Sequence, residues 1–231
     1  MFPGSDTVLK YSVLAGATPL IPVPFLDDIV LARVEKAMVA AIFAGHGHTL
    51  NDQEVEALVK EPPSGCLLLG CFSKAILWPI KKIIRKVLFV LEIKRATDIA
   101  SFTLTRGFLL DAALRNGWWS PDGSPEKVEH LGQTVMEVAH QAETSPMAGA
   151  VRATFGGMKK TLTEVGSLFG RLLGARQQPD EPAVSRALEE VQVEEKKEVE
   201  SLVSRLRASL EALPQGYFQE LEKSLWNKLN A

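Results

Sequence analysis

Three groups of polar residues have types and spacings that could support chemistry. His46 and His48 flank Gly47, and Asp27 is followed directly by Asp28. Imidazole and carboxylate groups serve as metal ligands and as acid–base groups, but a metal site needs further ligands at a suitable spacing. The sequence offers no such partners for either pair. We therefore interpret the histidines as polar residues at a helix end and the aspartates as helix-capping acids, with a metal site as the alternative.

The third group is a run of basic residues between positions 74 and 95. It contains seven Lys and Arg residues against one acid, Glu92. Apolar residues recur at helical spacing from Ile80 to Leu91, and the basic residues between them fall on the other face. This pattern predicts a basic amphipathic helix within residues 66–116, around which the rest of the chain packs. The candidate residues for contact with an anionic membrane are Lys74, Lys81, Lys82, Arg85 and Lys86.

The overall composition limits the classes of function. The net charge of −2 argues against a general binder of polyanions, and the basic run lacks the interleaved aromatic residues of a nucleic-acid site. No phosphate-binding loop, nucleophile elbow or zinc-protease motif is present. We therefore expect no nucleic-acid partner, no catalytic residue, no metal and no cofactor, and we interpret the protein as non-enzymatic.

A second candidate interaction site lies in the acidic C-terminal part. Residues 180–200 contain eight acids and three bases. This local excess permits binding of a protein partner by the predicted helix at 184–212, or pairing with the basic run.

The cysteine and tryptophan residues each allow two interpretations. Cys66 and Cys71 are too few for a disulfide framework, so they are small apolar residues or sites of palmitoylation. Trp118 and Trp119 are candidate interfacial anchors, or they close the end of a helical core. No secretory signal or membrane-spanning segment is evident, which favours a cytoplasmic protein bound peripherally at the inner membrane.

Helical periodicity dominates and strand signals are weak, so the predicted fold is all-α: an irregular multi-helix bundle around the central basic helix, with a C-terminal helical appendage. The glycines at 166, 170 and 174 are four residues apart, which predicts either close backbone packing or an exposed face. The predicted organisation is a flexible N-terminus at 1–17, a helical core at 18–175 (main module 18–120, glycine-rich helix 147–175), a linker at 176–182 and a charged appendage at 183–231.

The segment at 19–50 resembles a helical domain of unknown function found beside some bacterial Ras-like and dynamin-like GTPases and in related inner-membrane proteins. Its entry matches through Ile21, Pro22, Pro24 and Asp27, its helix through Met38, and its exit through Gly47 and Leu50. The chain lacks the GTPase and the long transmembrane hairpin often seen there. The resemblance implies a bacterial, membrane-associated protein without enzymatic activity.

These patterns together predict a helical protein that docks on an anionic membrane surface or a membrane protein complex through its basic helix. The alternative is a soluble scaffold or regulator that binds a protein partner through residues 184–212. An enzyme that acts on a lipid is the third interpretation.

Overall fold

The computed structural model describes residues 2–23, 26–60, 84–119, 124–142, 146–173, 181–194 and 196–231. The described residues form α-helices and one short 3₁₀ turn, Thr18–Leu20, without a strand, which confirms the all-α class. The helices are α1 (Asp6–Ala17), α2 (Leu26–Gly45), α3 (Asp52–Val59), α4 (Ile84–Arg115), α5 (Pro125–Gln141), α6 (Pro146–Gly157), α7 (Lys159–Leu173), α8 (Glu181–Glu194), α9 (Lys196–Glu211) and α10 (Tyr217–Leu229).

Helix α4 lies at the centre and packs against α1, α2, α5, α6 and α10. Its 32 residues extend over about 48 Å at 1.5 Å per residue. Its residues Thr97, Ser101 and Thr105 are polar and buried. Burial is possible because each hydroxyl donates a hydrogen bond to the backbone carbonyl four residues earlier, at 2.7–2.9 Å. The predicted central helix is therefore present over 84–115, and the predicted positions 66–83 lie outside the described residues.

The N-terminus differs from the predicted flexible segment. Residues 6–17 form α1, whose N-cap Ser5 accepts a hydrogen bond from the Val8 N–H. Val8, Leu9 and Val13 are fully buried, and the helix packs against α2, α4, α7 and α9. The prediction was wrong because the segment is short and mixed in composition, so its local sequence gives a weak helix signal. Its apolar face is stabilised as a helix by tertiary contacts. The one polar group on this face, the Ser12 hydroxyl, donates to the Val8 carbonyl at 2.7 Å.

The predicted glycine-rich helix is two helices, α6 and α7, which are separated at Met158. A Cβ atom at Gly166 would lie 2.8 Å from the Ala17 carbonyl oxygen, and one at Gly170 would lie 2.6 Å from Cδ of Pro22. Both glycines therefore face the segment after α1 at a distance that leaves no room for a side chain. The close-packing interpretation is confirmed for these two positions, while Gly174 lies outside the described residues.

The C-terminal helices belong to the core, so the predicted separate appendage was wrong. Helix α9 packs against α1, α6 and α7, helix α8 packs against α2 and α7, and helix α10 packs against α4 and α5. Their apolar stripes, among them Leu188, Leu202 and Leu206, are buried in the same cluster as α1 and α4. The sequence showed the stripe and the proline-bearing linker, but it could not show that the stripe faces the rest of the chain.

Candidate functional site

The described members of the basic run at positions 74–95 lie in the first turns of α4. Lys74, Lys81 and Lys82 lie outside the described residues, whereas Arg85 and Lys86 belong to the first turn of α4. The next turns are exposed at Lys94 and Arg95. Leu91 is 55% exposed, which is unusual for a large apolar side chain in a helix, while Ile93 turns into the core. The helix is therefore exposed at Leu91 and enters the core from Ile93 onward.

Arg95 joins the start of α4 to the start of α2. Its Nη1 lies 2.7 Å from Oδ2 of Asp27, and its Nη2 lies 3.0 Å from Oδ1 of Asp28. Both carboxylates lie in the first turn of α2, where acids also interact favourably with the positive end of the helix dipole. The aspartates thus act as first-turn acids that are bound by one guanidinium group. Partial burial raises the pKa of Glu92, on the same part of α4, above its usual value of 4.5.

The two tryptophans predicted as interfacial anchors have different environments. Trp119 is buried and packs edge-on against Phe43, with ring centroids 5.0 Å apart. It closes the end of the core, so the anchor interpretation was wrong for Trp119. Trp118 is half-buried and lies against Trp226, with centroids 5.3 Å apart, and Trp226 is 43% exposed. No local sequence signal links Trp226 to Trp118, because the two residues are more than 100 positions apart.

The basic residues and the tryptophans lie at opposite ends of α4. Lys86 and Arg115 are 29 residues apart on one helix, which corresponds to about 44 Å. Trp118 follows directly after the end of that helix. Arg85 and Lys86 therefore cannot form one compact patch with the two tryptophans, and among the described residues the start of α4 combines an exposed Leu91 with the exposed cations Lys94 and Arg95.

The histidine cluster forms the end of α2 and part of a polar network. The N–H groups of Gly47 and His48 bond to the carbonyls of Ala44 and Phe43, and Gly47 has a φ of 80°, as in a Schellman cap. His46 and His48 therefore lie at a helix end, as the sequence predicts. His48 lies edge-on to Trp119 at 5.9 Å.

His46 contacts a buried carboxylate. Its Nε2 lies 3.1 Å from Oδ1 of Asp111, whose side chain is 7% exposed. Arg115 donates to the other oxygen of Asp111 at 2.9 Å, to the Pro3 carbonyl at 2.7 Å and to Glu222 at 2.6 Å. A His–Asp pair can orient a general base, but these partners include no nucleophile. The network therefore ties the α2 end, the N-terminus and α10 to α4.

Arg106 is a buried cation that the sequence analysis did not identify. Its Nη2 donates to the Leu58 carbonyl at 3.0 Å, and its Nη1 lies 3.4 Å from Oε2 of Glu35. The side chain is 1% exposed. It holds α4 against α2 and the C-terminal end of α3, where a positive charge is favourable. Its surroundings in the sequence, TLTRGFLL, give no signal for these partners.

The described residues form a helical protein of the all-α class. None of the described helices has both the length and the apolar character needed to cross a bilayer. Among the described side chains, no group of three or more His, Cys, Asp and Glu could hold a metal ion. The chain matches no protein-family model, no curated protein and no solved structure.

Proposed function

We propose that this protein binds peripherally to an anionic membrane surface through the start of α4. The observation that carries the proposal is the exposure of Leu91 on a helix whose first turns contain basic residues. An exposed apolar side chain beside cations is the combination that the interfacial region of a bilayer binds best. The sequence adds Lys74, Lys81 and Lys82 immediately before these turns.

The strength of such binding depends on the cations that are free to face the lipid. Each Lys or Arg near an anionic leaflet contributes roughly 1 kcal/mol, and this contribution falls within a Debye length. Arg95 already binds two aspartates, so it adds little by direct contact. Lys81, Lys82, Arg85 and Lys86 are therefore expected to supply most of the electrostatic attraction, and binding should weaken as the salt concentration rises.

Co-sedimentation with liposomes tests this proposal. We expect the protein to bind vesicles that contain phosphatidylserine at low salt and not to bind vesicles of phosphatidylcholine alone. Replacing Lys81, Lys82, Arg85 and Lys86 together by Gln should abolish binding without unfolding the protein. The proposal is wrong if the unchanged protein ignores anionic vesicles at low salt.

A control variant removes the same number of charges from other helices. Arg152, Lys159, Lys160 and Lys223 are exposed residues of α6, α7 and α10. Their joint replacement by Gln changes the net charge by the same amount and should leave most of the binding intact. Equal losses in the two quadruple variants would mean that net charge alone, rather than the start of α4, determines binding.

The second candidate function is that of a scaffold whose acidic C-terminal face binds a basic protein partner. The apolar stripes of α8 and α9 are buried, whereas Glu189, Glu190 and Glu200 are exposed. In this interpretation the partner contacts the outward acidic side chains of the described part of α8 rather than its buried stripe. Glu189→Gln combined with Glu190→Gln should leave or slightly increase liposome binding if the membrane proposal holds.

A further inference from the structure

The start of α2 lies beside the start of α4 and carries its own exposed apolar residue. Ile29 is 42% exposed and follows Asp28 in the first turns of α2. Leu91 precedes Arg95 by four residues, so both lie on one face of α4. Because Arg95 binds Asp27 and Asp28, its ion pairs join the turn of α4 that follows Leu91 to the turn of α2 that precedes Ile29.

The charges around these residues bear directly on what this surface can contact. Asp27 and Asp28 would repel an anionic surface if they stood alone. Arg95 reduces their combined charge from −2 to −1, since it binds both carboxylates through one guanidinium group. The exposed Lys94 and Glu92, both on α4, add one charge of each sign. The start of α2 is thereby compatible with anionic lipid only while Arg95 keeps its two contacts.

We propose that the starts of α2 and α4 form one lipid-contacting face, in which Ile29 and Leu91 insert among anionic headgroups. Arg95 acts in this face as a positioning residue, which holds the two helix starts together and neutralises the aspartates. This inference rests on the proposed function, and it adds α2 and the Arg95 contacts to the site. An anionic bilayer fits the face better than a neutral one because the first three turns of α4 contain Arg85, Lys86 and Lys94.

The apolar part of the face is tested by removing each side chain separately. Ile29→Ser and Leu91→Ser should each weaken binding to phosphatidylserine vesicles by about tenfold, because each removes a side chain whose burial is favourable. The loss should persist at high salt, where the electrostatic contribution is screened. Trp226→Ser is the matched control, since Trp226 is similarly exposed but belongs to α10 near the far end of α4. If Ile29→Ser binds as well as the unchanged protein, α2 does not belong to the face.

The role of Arg95 is tested by first removing its guanidinium group and then removing the charges of the two aspartates that it neutralises. Arg95→Gln should weaken binding by more than tenfold, since it exposes two carboxylates to the lipid. Adding Asp27→Asn and Asp28→Asn should recover binding to at least the original level. If the triple variant stays as weak as Arg95→Gln, then Arg95 contacts lipid directly and the inference is wrong.

A second triple variant separates the local effect from net charge. Arg95→Gln with Glu129→Gln and Glu211→Gln has the same net charge, but its two acids lie on α5 and at the end of α9. It should stay weak, and recovery in this variant would also overturn the inference. Thermal melts should show that all variants fold, because the ion pairs of Arg95 are partly exposed. Failure of the unchanged protein to bind any anionic vesicle would instead refute the proposed function itself.

Discussion

The contact between Gly170 and Pro22 gives a sharp test of the packing between α7 and the segment after α1. A Cβ atom at Gly170 would lie 2.6 Å from Cδ and 2.9 Å from Cγ of Pro22. Both distances are shorter than real Cβ contacts allow. The proline ring cannot rotate away because it is closed onto its own backbone nitrogen. A side chain at position 170 can therefore be placed only if α7 moves away from the core.

The size of the effect follows from two opposing contributions. Replacing a glycine in a helix interior returns about 1 kcal/mol of helix stability. Overpacking a core contact costs about 1–3 kcal/mol, and a rigid neighbour favours the upper end of this range. We expect Gly170→Leu to lower the free energy of unfolding by about 2 kcal/mol. For a chain of this size, this loss corresponds to a decrease in Tm of about 4–8 °C.

Urea denaturation followed by tryptophan fluorescence measures this change. Gly149 in α6 is the matched control, because it is exposed and nothing lies within 4 Å of its Cβ position. Gly149→Leu should therefore be neutral or stabilising. A midpoint that rises in Gly170→Leu as it does in Gly149→Leu would refute the packing argument.

A second variant isolates the proline ring as the cause. Pro22→Ala removes Cγ and Cδ, after which the nearest remaining atom to the Cβ position of residue 170 is the backbone nitrogen, at 3.7 Å. Gly170→Ala should destabilise the protein that contains Pro22 and should be neutral or stabilising in the Pro22→Ala protein. The coupling between the two changes is then the contribution of the contact itself.

Three further predictions follow from burial and charge. A chain that ends at Arg176 should aggregate or lose its cooperative melt, because it lacks the α8 and α9 side chains that fill the core. A soluble product that melts cooperatively would show that these helices are dispensable. Arg106→Met should lower the free energy of unfolding by about 2–4 kcal/mol, since it leaves the partners of a buried cation unpaired. Adding Glu35→Gln should recover part of this loss, and urea titrations measure both changes. Because the pKa of Glu92 is raised in the folded protein, the folded state binds this proton more tightly than the unfolded state does. Protonation of Glu92 therefore stabilises the fold below pH 4.5, and this stabilisation is lost as the pH rises through the folded pKa. Glu92→Gln should remove this decrease, and identical pH profiles of stability for the two proteins would contradict the assigned burial.

Helix ends with strong local signals can be predicted from the sequence. Asn51 and Glu54 form a capping box, with reciprocal hydrogen bonds of 3.0 and 2.8 Å. Helix α2 ends at Gly45 just before the left-handed Gly47, and α5 starts with Pro125, which is favoured at the first helical position. These features depend on residues within four positions of one another, so their physical causes are contained in a short segment. The spacing of Gly166 and Gly170 places both on one helix face, but it left open whether that face is packed or exposed.

Which helix faces meet and which polar groups pair cannot be predicted from local sequence, because both depend on the tertiary structure. It placed α1 in the core and buried the stripes of α8 and α9, although these segments appeared peripheral in the sequence. It also brought Arg95 to Asp27 and Asp28 across 67 or more positions, and His46 to Asp111 across 65. An amphipathic pattern shows that a face needs a partner but carries no information about which partner it is. That choice is made by the packing of the whole chain, since burial and ion pairing depend on distance in space rather than on separation in sequence.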